Sequence, residues 1–344
     1  MFDLKRVSVR FKEEIKSIEK ERRIVILSHV DADGVSAGVL VHKALRENGF
    51  NVVDLLYPKK GENGFSDSVI GRVLEKKPDV VFIVDLGSYK KEFKGVEKII
   101  IIDHHKPEGV VENGVLFTSF PPPPYISAAY LSFLLFDNIG FSPKDFLGAI
   151  GEAGDFGTSV KDVPMYDEIL KKYKKKWISH VASLINAARR IPEFDIKTST
   201  RYLMNANEFS DLLSESEAKS TLETYRERVK REVDRWKRVR PKFSGSLALL
   251  EINSPYLIHP IIAQIWRNVL KNYIVVCANY GYIDGRVAFS MRTNLSISLL
   301  SFLRKYTEPS LDEDLGFGHE RATGGIVTVE KWKNIVSLWG FKDS

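Results

Sequence analysis

The pattern of hydrophobic and polar positions changes character several times along this chain. Residues 3–22 place Leu4, Val7, Phe11, Ile15 and Ile18 three or four apart, which predicts an amphipathic helix. Short apolar runs follow at Ile24–Ser28, Val80–Val84 and Lys98–Ile102, with a helical stretch over Ser36–Asn48 and a further strand over Asn51–Tyr57. Strands apolar along their whole length, separated by helices, argue for a parallel sheet covered on both faces. Pro121–Pro124 reads as a rigid extended connector, and helices are expected over about 127–138 and 143–153.

From Val163 to Arg240 the pattern is polar, charged and helical, with no strand signal. Its last part carries Arg226, Arg228, Lys230, Arg231, Arg235, Lys237, Arg238 and Arg240, interleaved with Glu223, Glu227, Glu232 and Asp234. Many of these lie at helical pairing distance, so a salt-bridged, solvated connector is favoured over a nucleic-acid patch. A second α/β pattern starts near Ser246. It has strands over 247–252, 273–278 and 286–292, helices over 260–270 and 295–306, a Gly-rich loop, and a last helix over 331–339. The expectation is an α/β protein: a parallel-sheet domain over 1–160, a helical connector over 161–243 and a smaller α/β domain over 244–344.

Composition narrows the function classes. Of 344 residues, 44% are hydrophobic and 28% charged, a mix that buries a core and excludes wholesale disorder. The apolar runs fall far short of the roughly 18 residues of a membrane span, and the first residues carry no apolar signal segment. A cytoplasmic protein with no membrane partner is expected. The single cysteine, Cys277, excludes an internal disulfide and a cysteine-built zinc site. The net charge of +6 favours an anionic partner only weakly, since 45 acidic residues are mixed with 51 basic ones.

Candidate chemistry sits where the first strands end. His29, Asp31 and Asp33 alternate in Ser28-His-Val-Asp-Ala-Asp-Gly34, between the first strand and its helix. Alone this reads equally well as an Asx-rich turn and helix cap. Asp85 ends a second strand, and Asp103, His104 and His105 end a third. Open α/β sheets bind ligands outside the carboxyl ends of their strands. Asp155, in Gly151-Glu-Ala-Gly-Asp-Phe-Gly157, lies just past a helix. Converging carboxylates and imidazoles without thiolates suit Mn²⁺ or Mg²⁺, and so many of them suit two ions that clamp a phosphoryl group.

These residues resemble the DHH phosphoesterase superfamily, named for the triplet seen here as Asp103-His104-His105. That superfamily includes RecJ-type nucleases, oligoribonucleases, cyclic-dinucleotide hydrolases and manganese pyrophosphatases. Four motifs match in order: His29-x-Asp31-x-Asp33-Gly34, Asp85, the triplet, and Asp155. The C-terminal part resembles the companion DHHA1 domain, through Ser290-Met291-Arg292 and Gly316-Phe-Gly318-His319-Glu-Arg321-Ala-Thr-Gly324-Gly325. The resemblance spans about 24–155 and 245–335. It implies that Asp31 binds one ion, Asp33 the other, that Asp85 bridges both, and that His104 and Asp155 complete the shells. His105 would face the substrate phosphate. The family's ligand histidine lies four residues before the acid matched by Asp31, where this chain has Leu27. His29, two residues before, either reaches the same ion or stands behind it. Phe317 interrupts the usual glycine triplet and would either stack on a base or pack.

The implied function is a metal-dependent phosphodiesterase with two Mn²⁺ ions, Mg²⁺ being the alternative. The leading form is an exonuclease releasing nucleotides from single-stranded DNA or RNA in a cleft between the domains. Asp85, His104, His105 and Asp155 would carry catalysis. Arg292, Gly316, Gly318, His319, Arg321 and Gly324, with His105, would hold substrate through backbone and side-chain donors to phosphate. The alternatives are an oligoribonuclease or dinucleotide phosphodiesterase acting on short oligonucleotides, and a catalytically inactive scaffold with replication or repair partners. Cleavage polarity, sugar preference and oligomeric state are open at this level.

Overall fold

The computed structural model describes residues 3–310, 313–316 and 318–341, and of His319 only the backbone. The chain forms two compact units. The first comprises the residues up to Pro58, Gly64–Ala188 and Asp195–Thr224; the second comprises Lys59–Asn63, Arg189–Phe194 and the residues from Tyr225 onward.

The first unit begins with helix α1 (Leu4–Lys16), capped by the Asp3 side chain on the Arg6 N–H. An alternation follows: β1 (Ile24–Ser28), α2 (Ala32–Glu47), β2 (Val52–Leu56), α3 (Asp67–Leu74), β3 (Val80–Val84), β4 (Lys98–Asp103) and β5 (Gly114–Thr118). The strands pair in the order β2-β1-β3-β4-β5, all parallel. Every residue of β1 and β3 is buried, which is why these runs are apolar without alternation. Helices α4 (Ala128–Asn138) and α5 (Asp145–Asp155) pack with α2. The charged stretch then forms α6 (Tyr166–Tyr173), α7 (Lys175–Arg190), α8 (Ile196–Met204), α9 (Phe209–Leu213) and α10 (Glu217–Trp236), helical as its pattern implies. Residues 166–188 and 195–224 of this stretch fold with the first sheet.

The second unit carries β6 (Lys242–Ser244), β7 (Leu247–Ile252), α11 (His259–Val269), β8 (Ile274–Asn279), β9 (Arg286–Thr293), α12 (Leu299–Leu303), β10 (Gly318–His319), β11 (Ala322–Thr328) and α13 (Val329–Leu338). Its mixed sheet runs β10-β11-β9-β8-β7-β6, with β7 and β8 parallel and the other pairs antiparallel. Leu249, Val276, Phe289 and Trp332 belong to one buried cluster; Leu250, Val275, Cys277 and Ile262 belong to another. The alternation along β8 thus sends successive residues to opposite cores. One expectation needs correction. The Gly-rich segment is not all loop, because Ala322–Thr328 is a strand paired with β9. A Cβ on Gly324 would stand 2.2 Å from the Phe289 carbonyl oxygen, so the glycine there permits backbone approach within the sheet. Among the described residues, no helix is long and apolar enough to cross a membrane.

Phe11 joins α1 to the first sheet. Its ring is fully buried and meets Phe117 of β5 at 5.1 Å and Phe136 of α4 at 5.0 Å, both edge to face. Phe11→Ala should destabilise the first unit by about 3–5 kcal/mol. Urea denaturation followed by circular dichroism measures this, and a loss under about 1 kcal/mol would show that α1 is not part of the core.

Candidate metal centre

Strands β1, β3 and β4 are neighbours in the sheet. Adjacent strands lie about 4.8 Å apart, so the residues that follow their carboxyl ends are forced together. The side chains of His29, Asp31, Asp85, His104 and His105 project there, and Asp33 and Asp155 reach the same place from the start of α2 and the end of α5.

Asp85 is central. Its Oδ2 lies 3.5 Å from His29 Nδ1 and its Oδ1 lies 3.2 Å from His104 Nε2, so its two oxygens face two different imidazoles. Its backbone is left-handed, with φ at +60°. Aspartate tolerates that conformation better than most side chains. His29 Nδ1 is also 3.1 Å from Asp31 Oδ2. His104 Nε2 is also 3.6 Å from Asp155 Oδ2 and 3.8 Å from Asp33 Oδ2. Two donor groups that could hold a metal ion share Asp85: His29, Asp31 and Asp85, and Asp85, His104 and His105.

Local structure explains why each acid points inward. Asp31 caps α2, its Oδ1 accepting the Gly34 N–H at 3.0 Å while Oδ2 faces His29. The cap and site readings of this motif therefore hold together. Gly34 is required by space, since a Cβ there would meet the His29 carbonyl oxygen at 2.4 Å. Asp33 is 2% exposed and accepts the Ala128 and Ala129 N–H groups at 2.8 Å each. It thus sits on the positive amino end of α4. Asp103 holds His105: its Oδ1 accepts the His105 backbone N–H at 2.6 Å and faces Nδ1 at 3.1 Å, while Oδ2 accepts the Gly87 N–H at 2.7 Å.

Charge is crowded here. Burial, the Asp85 carboxylate and further acids push Asp33 well above the usual carboxylate range, against the pull of His104. Burial also raises Asp155, and Asp85 and Asp31 add to the rise while His104 opposes it. Burial alone would lower His29 and His104, but the surrounding carboxylates win and raise both. Burial likewise opposes ionisation of Asp103, yet His105 outweighs it and holds that carboxylate well below its ordinary range. Acids raised by burial and by one another in a pocket of oxygen and nitrogen donors are what a divalent cation relieves. The donor set therefore fits Mn²⁺ or Mg²⁺.

Arg292, Gly316, Gly318, Arg321, Gly324 and the backbone of His319 lie in the second unit. Arg292 of β9 stands opposite Ala322 of β11, and Arg321 is exposed at the turn before it. The Arg292 guanidinium donates to Ser290 Oγ at 2.7 Å and the Met291 carbonyl at 2.9 Å. Burial, with Arg267 nearby, lowers it to about 10, the mark of a cation short of negative partners. Burial and the charges of Arg292 and Arg189 push His259 down to about 3, so that imidazole is neutral. Gly316 and Gly318 have φ of +82° and +113°, conformations that favour glycine. Phe317 and the His319 side chain lie outside the described residues.

Three contributors have weak sequence signals. Asp103 is part of the triplet but its role in holding His105 shows only in the hydrogen bonds. Asn186 Oδ1 accepts the Ala32 N–H at 3.3 Å from α7, 154 residues away. Glu152, a carboxyl in an otherwise apolar stretch of α5, is fully buried. Its charge in an apolar run is the one signal that marks it.

With the geometry established, residues 23–149 match the DHH family, N-terminal domain. The single-stranded-DNA-specific exonuclease RecJ of Haemophilus influenzae is 33% identical over 102 residues, covering 27% of this chain and 17% of that protein. The chain thus matches about a sixth of that relative's length. Two crystal structures are similar over the whole chain. An exonuclease RecJ bound to manganese has a TM-score of 0.67 and 16% identity, covering 100% of this chain and 96% of that one. RecJ of Thermus thermophilus in complex with Mn²⁺ has a TM-score of 0.68 and 17% identity, covering 99% of this chain and 55% of that one. At these identities the structural likeness is one of fold.

Asp103→Asn tests the second tier of the site. An amide supplies one acceptor where the carboxylate supplies two, so the Gly87 or the His105 donor faces an NH₂ group. At pH 7 the loss should be about 1–3 kcal/mol. Because the folded carboxylate ionises below its ordinary range, its contribution is present above that range and is lost as pH falls. The difference in urea midpoint between the two proteins should therefore shrink from pH 7 toward pH 3. A constant difference would contradict the assigned role.

Proposed function

We propose that this chain is a metal-dependent phosphodiesterase that releases nucleotides from the end of single-stranded DNA or RNA. A phosphoesterase of the DHH type is supported by the family match and by the RecJ relatives. The observation that carries the reading is the pair of imidazoles facing opposite oxygens of Asp85 at the ends of neighbouring strands. His29, Asp31 and Asp85 would hold one divalent ion; Asp33, Asp85, His104 and Asp155 would hold a second. Bound there, the ions would supply Lewis acidity toward water and the phosphoryl oxygens.

The protein's own groups do the rest. Asp85 fixes the spacing of the two donor groups because it belongs to both. Asp103 sets the orientation of the His105 ring, and His105 is the side chain we assign to the substrate phosphate. Arg292, half-buried, donating to a backbone carbonyl and a hydroxyl and without an ion pair among the described residues, is assigned to a phosphate of the strand.

End-labelled DNA and RNA oligonucleotides of graded length, digested with Mn²⁺, test the substrate. Stepwise shortening of a strand of about 20 nucleotides supports the exonuclease, and cleavage confined to two- or three-residue substrates would replace it with a short-oligonucleotide phosphodiesterase. Mn²⁺ at about 100 times its dissociation constant should stabilise the fold by about 2.7 kcal/mol, reversed by EDTA. Asp85→Asn retains a residue that accepts left-handed backbone and should stay folded. It should lose hydrolysis by on the order of 100-fold or more; near-normal turnover at saturating Mn²⁺ would sink the shared-carboxylate scheme. Arg292→Ala should raise KM roughly ten-fold or more, the loss of a charged hydrogen bond, with Mn²⁺ stoichiometry unchanged. Unaltered kcat/KM would remove Arg292 from the substrate site.

A further inference from the structure

Three helices of the first unit meet at the amino end of α4. Glu152, on α5, is fully buried and lies three residues before Asp155. Its Oε2 accepts the Ser127 backbone N–H at 2.7 Å. The next two amides, those of Ala128 and Ala129, go to Asp33 of α2 at 2.8 Å each. The Tyr130 N–H goes to Ser127 Oγ at 3.3 Å. Two buried acids from two different helices therefore share four consecutive amides with the capping serine.

The contact face of α5 gives this bond its importance. That face is made of Gly148, Gly151 and Gly154. A Cβ on each would fall 2.8 Å from Phe133 Cβ, 2.3 Å from Ala129 Cβ and 2.6 Å from Ala32 Cβ, respectively. Glycine at every third position lets α5 lie close against α4 and α2. It also removes the ridges that normally set a helix's rotation and axial position. A smooth face needs a different lock, and Asp155, at the end of α5, must be held to a fraction of an ångström to share His104 with Asp33. Glu152 is costly in isolation: burial pushes it up to about 7, and its Oε1 has no hydrogen-bond partner among the described residues. Contacts with Ser127 alone, through its backbone N–H and its side chain, do not require a carboxyl group in such a place.

We propose that Glu152 is a positioning residue, which locks α5 to the amino end of α4 and so sets Asp155 against Asp33 for metal binding. The inference rests on the metal-centre reading above. It is tested by titrating Mn²⁺ into metal-stripped protein by isothermal calorimetry, with urea denaturation of the same preparations. Glu152→Gln retains an acceptor for the Ser127 N–H and should bind Mn²⁺ within about two-fold of the unchanged protein. Glu152→Asp, one methylene short, and Glu152→Leu should bind about 10–100-fold more weakly, as when outer partners of a metal site are lost. Should Glu152→Leu fail to fold, the Gln and Asp variants carry the comparison. If Asp and Leu variants lose stability but keep full Mn²⁺ affinity, Glu152 is only structural and the proposal falls. It falls equally if the Gln variant binds as weakly as the Asp variant. No Mn²⁺ binding by the unchanged protein would be a different result: it would overturn the metal-centre reading and this inference together.

Discussion

Repulsion between carboxylates gathered around the buried His104 imidazole is the constraint on which the first unit depends. Two like charges about 4 Å apart repel by about 4 kcal/mol at an effective dielectric of 20, and here Asp33, Asp85 and Asp155 all stand within 4 Å of one imidazole nitrogen. No arrangement of apolar core residues would choose this. The fold meets it with positive groups placed one by one: two imidazoles between the acids, the amino end of α4 under Asp33, and backbone amides on Asp31 and Asp103. What those groups leave uncompensated is a deficit of positive charge, and that deficit is the chemical content of the site.

The same constraint explains features of the backbone that would otherwise look accidental. Asp85 turns left-handed directly after a fully buried strand, where a strand's ordinary continuation would not aim one carboxylate at two imidazoles. Gly34 and Gly151 are both set by space beside site residues: a Cβ on the first would strike the His29 backbone, and on the second Asp33 Oδ1 at 2.6 Å. Glycine is thus used at these positions to let helices approach the strand ends closely. The acids of α2 and α5 reach the site because nothing bulkier stands between those helices and the sheet.

Much of this was legible in the sequence, and for identifiable reasons. The runs Val80–Val84 and Lys98–Ile102 announce buried parallel strands because neither face meets water. Once they are strands, Asp85 and the triplet must lie at one edge of the sheet. What pattern could not supply was anything built from backbone amides or from contacts distant in sequence. Asp33 reads as a ligand or a cap, yet its oxygens meet amides 95 and 96 residues away. The strand Gly114–Thr118 was hidden because it is an edge strand, mostly half-buried, and so lacks the unbroken apolar run of its neighbours. His29 stands 3.1 Å from Asp31 and 3.5 Å from Asp85, which puts it in the first candidate donor group, a proximity the spacing of the motif left open.

The second unit shows where motif reading and packing compete for the same residues. A glycine-rich stretch suggests a cradle for an anion, because bare backbone can approach one closely. Gly324 is spent on another purpose, since the Phe289 carbonyl oxygen occupies the space a side chain would need, and Gly325 is pressed by Leu315. These two glycines are accounted for by strand β11 lying against its neighbours. Gly316, in the bend before β10, and Gly318, paired in β10 with Thr323, have positive φ, and a Cβ on Gly318 would meet the Ala322 carbonyl oxygen at 2.7 Å. Neither pair requires a ligand to explain it. Arg292 does not have such an explanation: its half-buried guanidinium is held by a hydroxyl and a carbonyl, and burial with Arg267 nearby lowers it to about 10. If this unit takes an anion, as proposed above, the glycine backbone is already committed to packing and Arg292 is the group left for it. The glycines contribute by bringing β11 close enough to set Ala322, and the turn that holds Arg321, directly opposite Arg292.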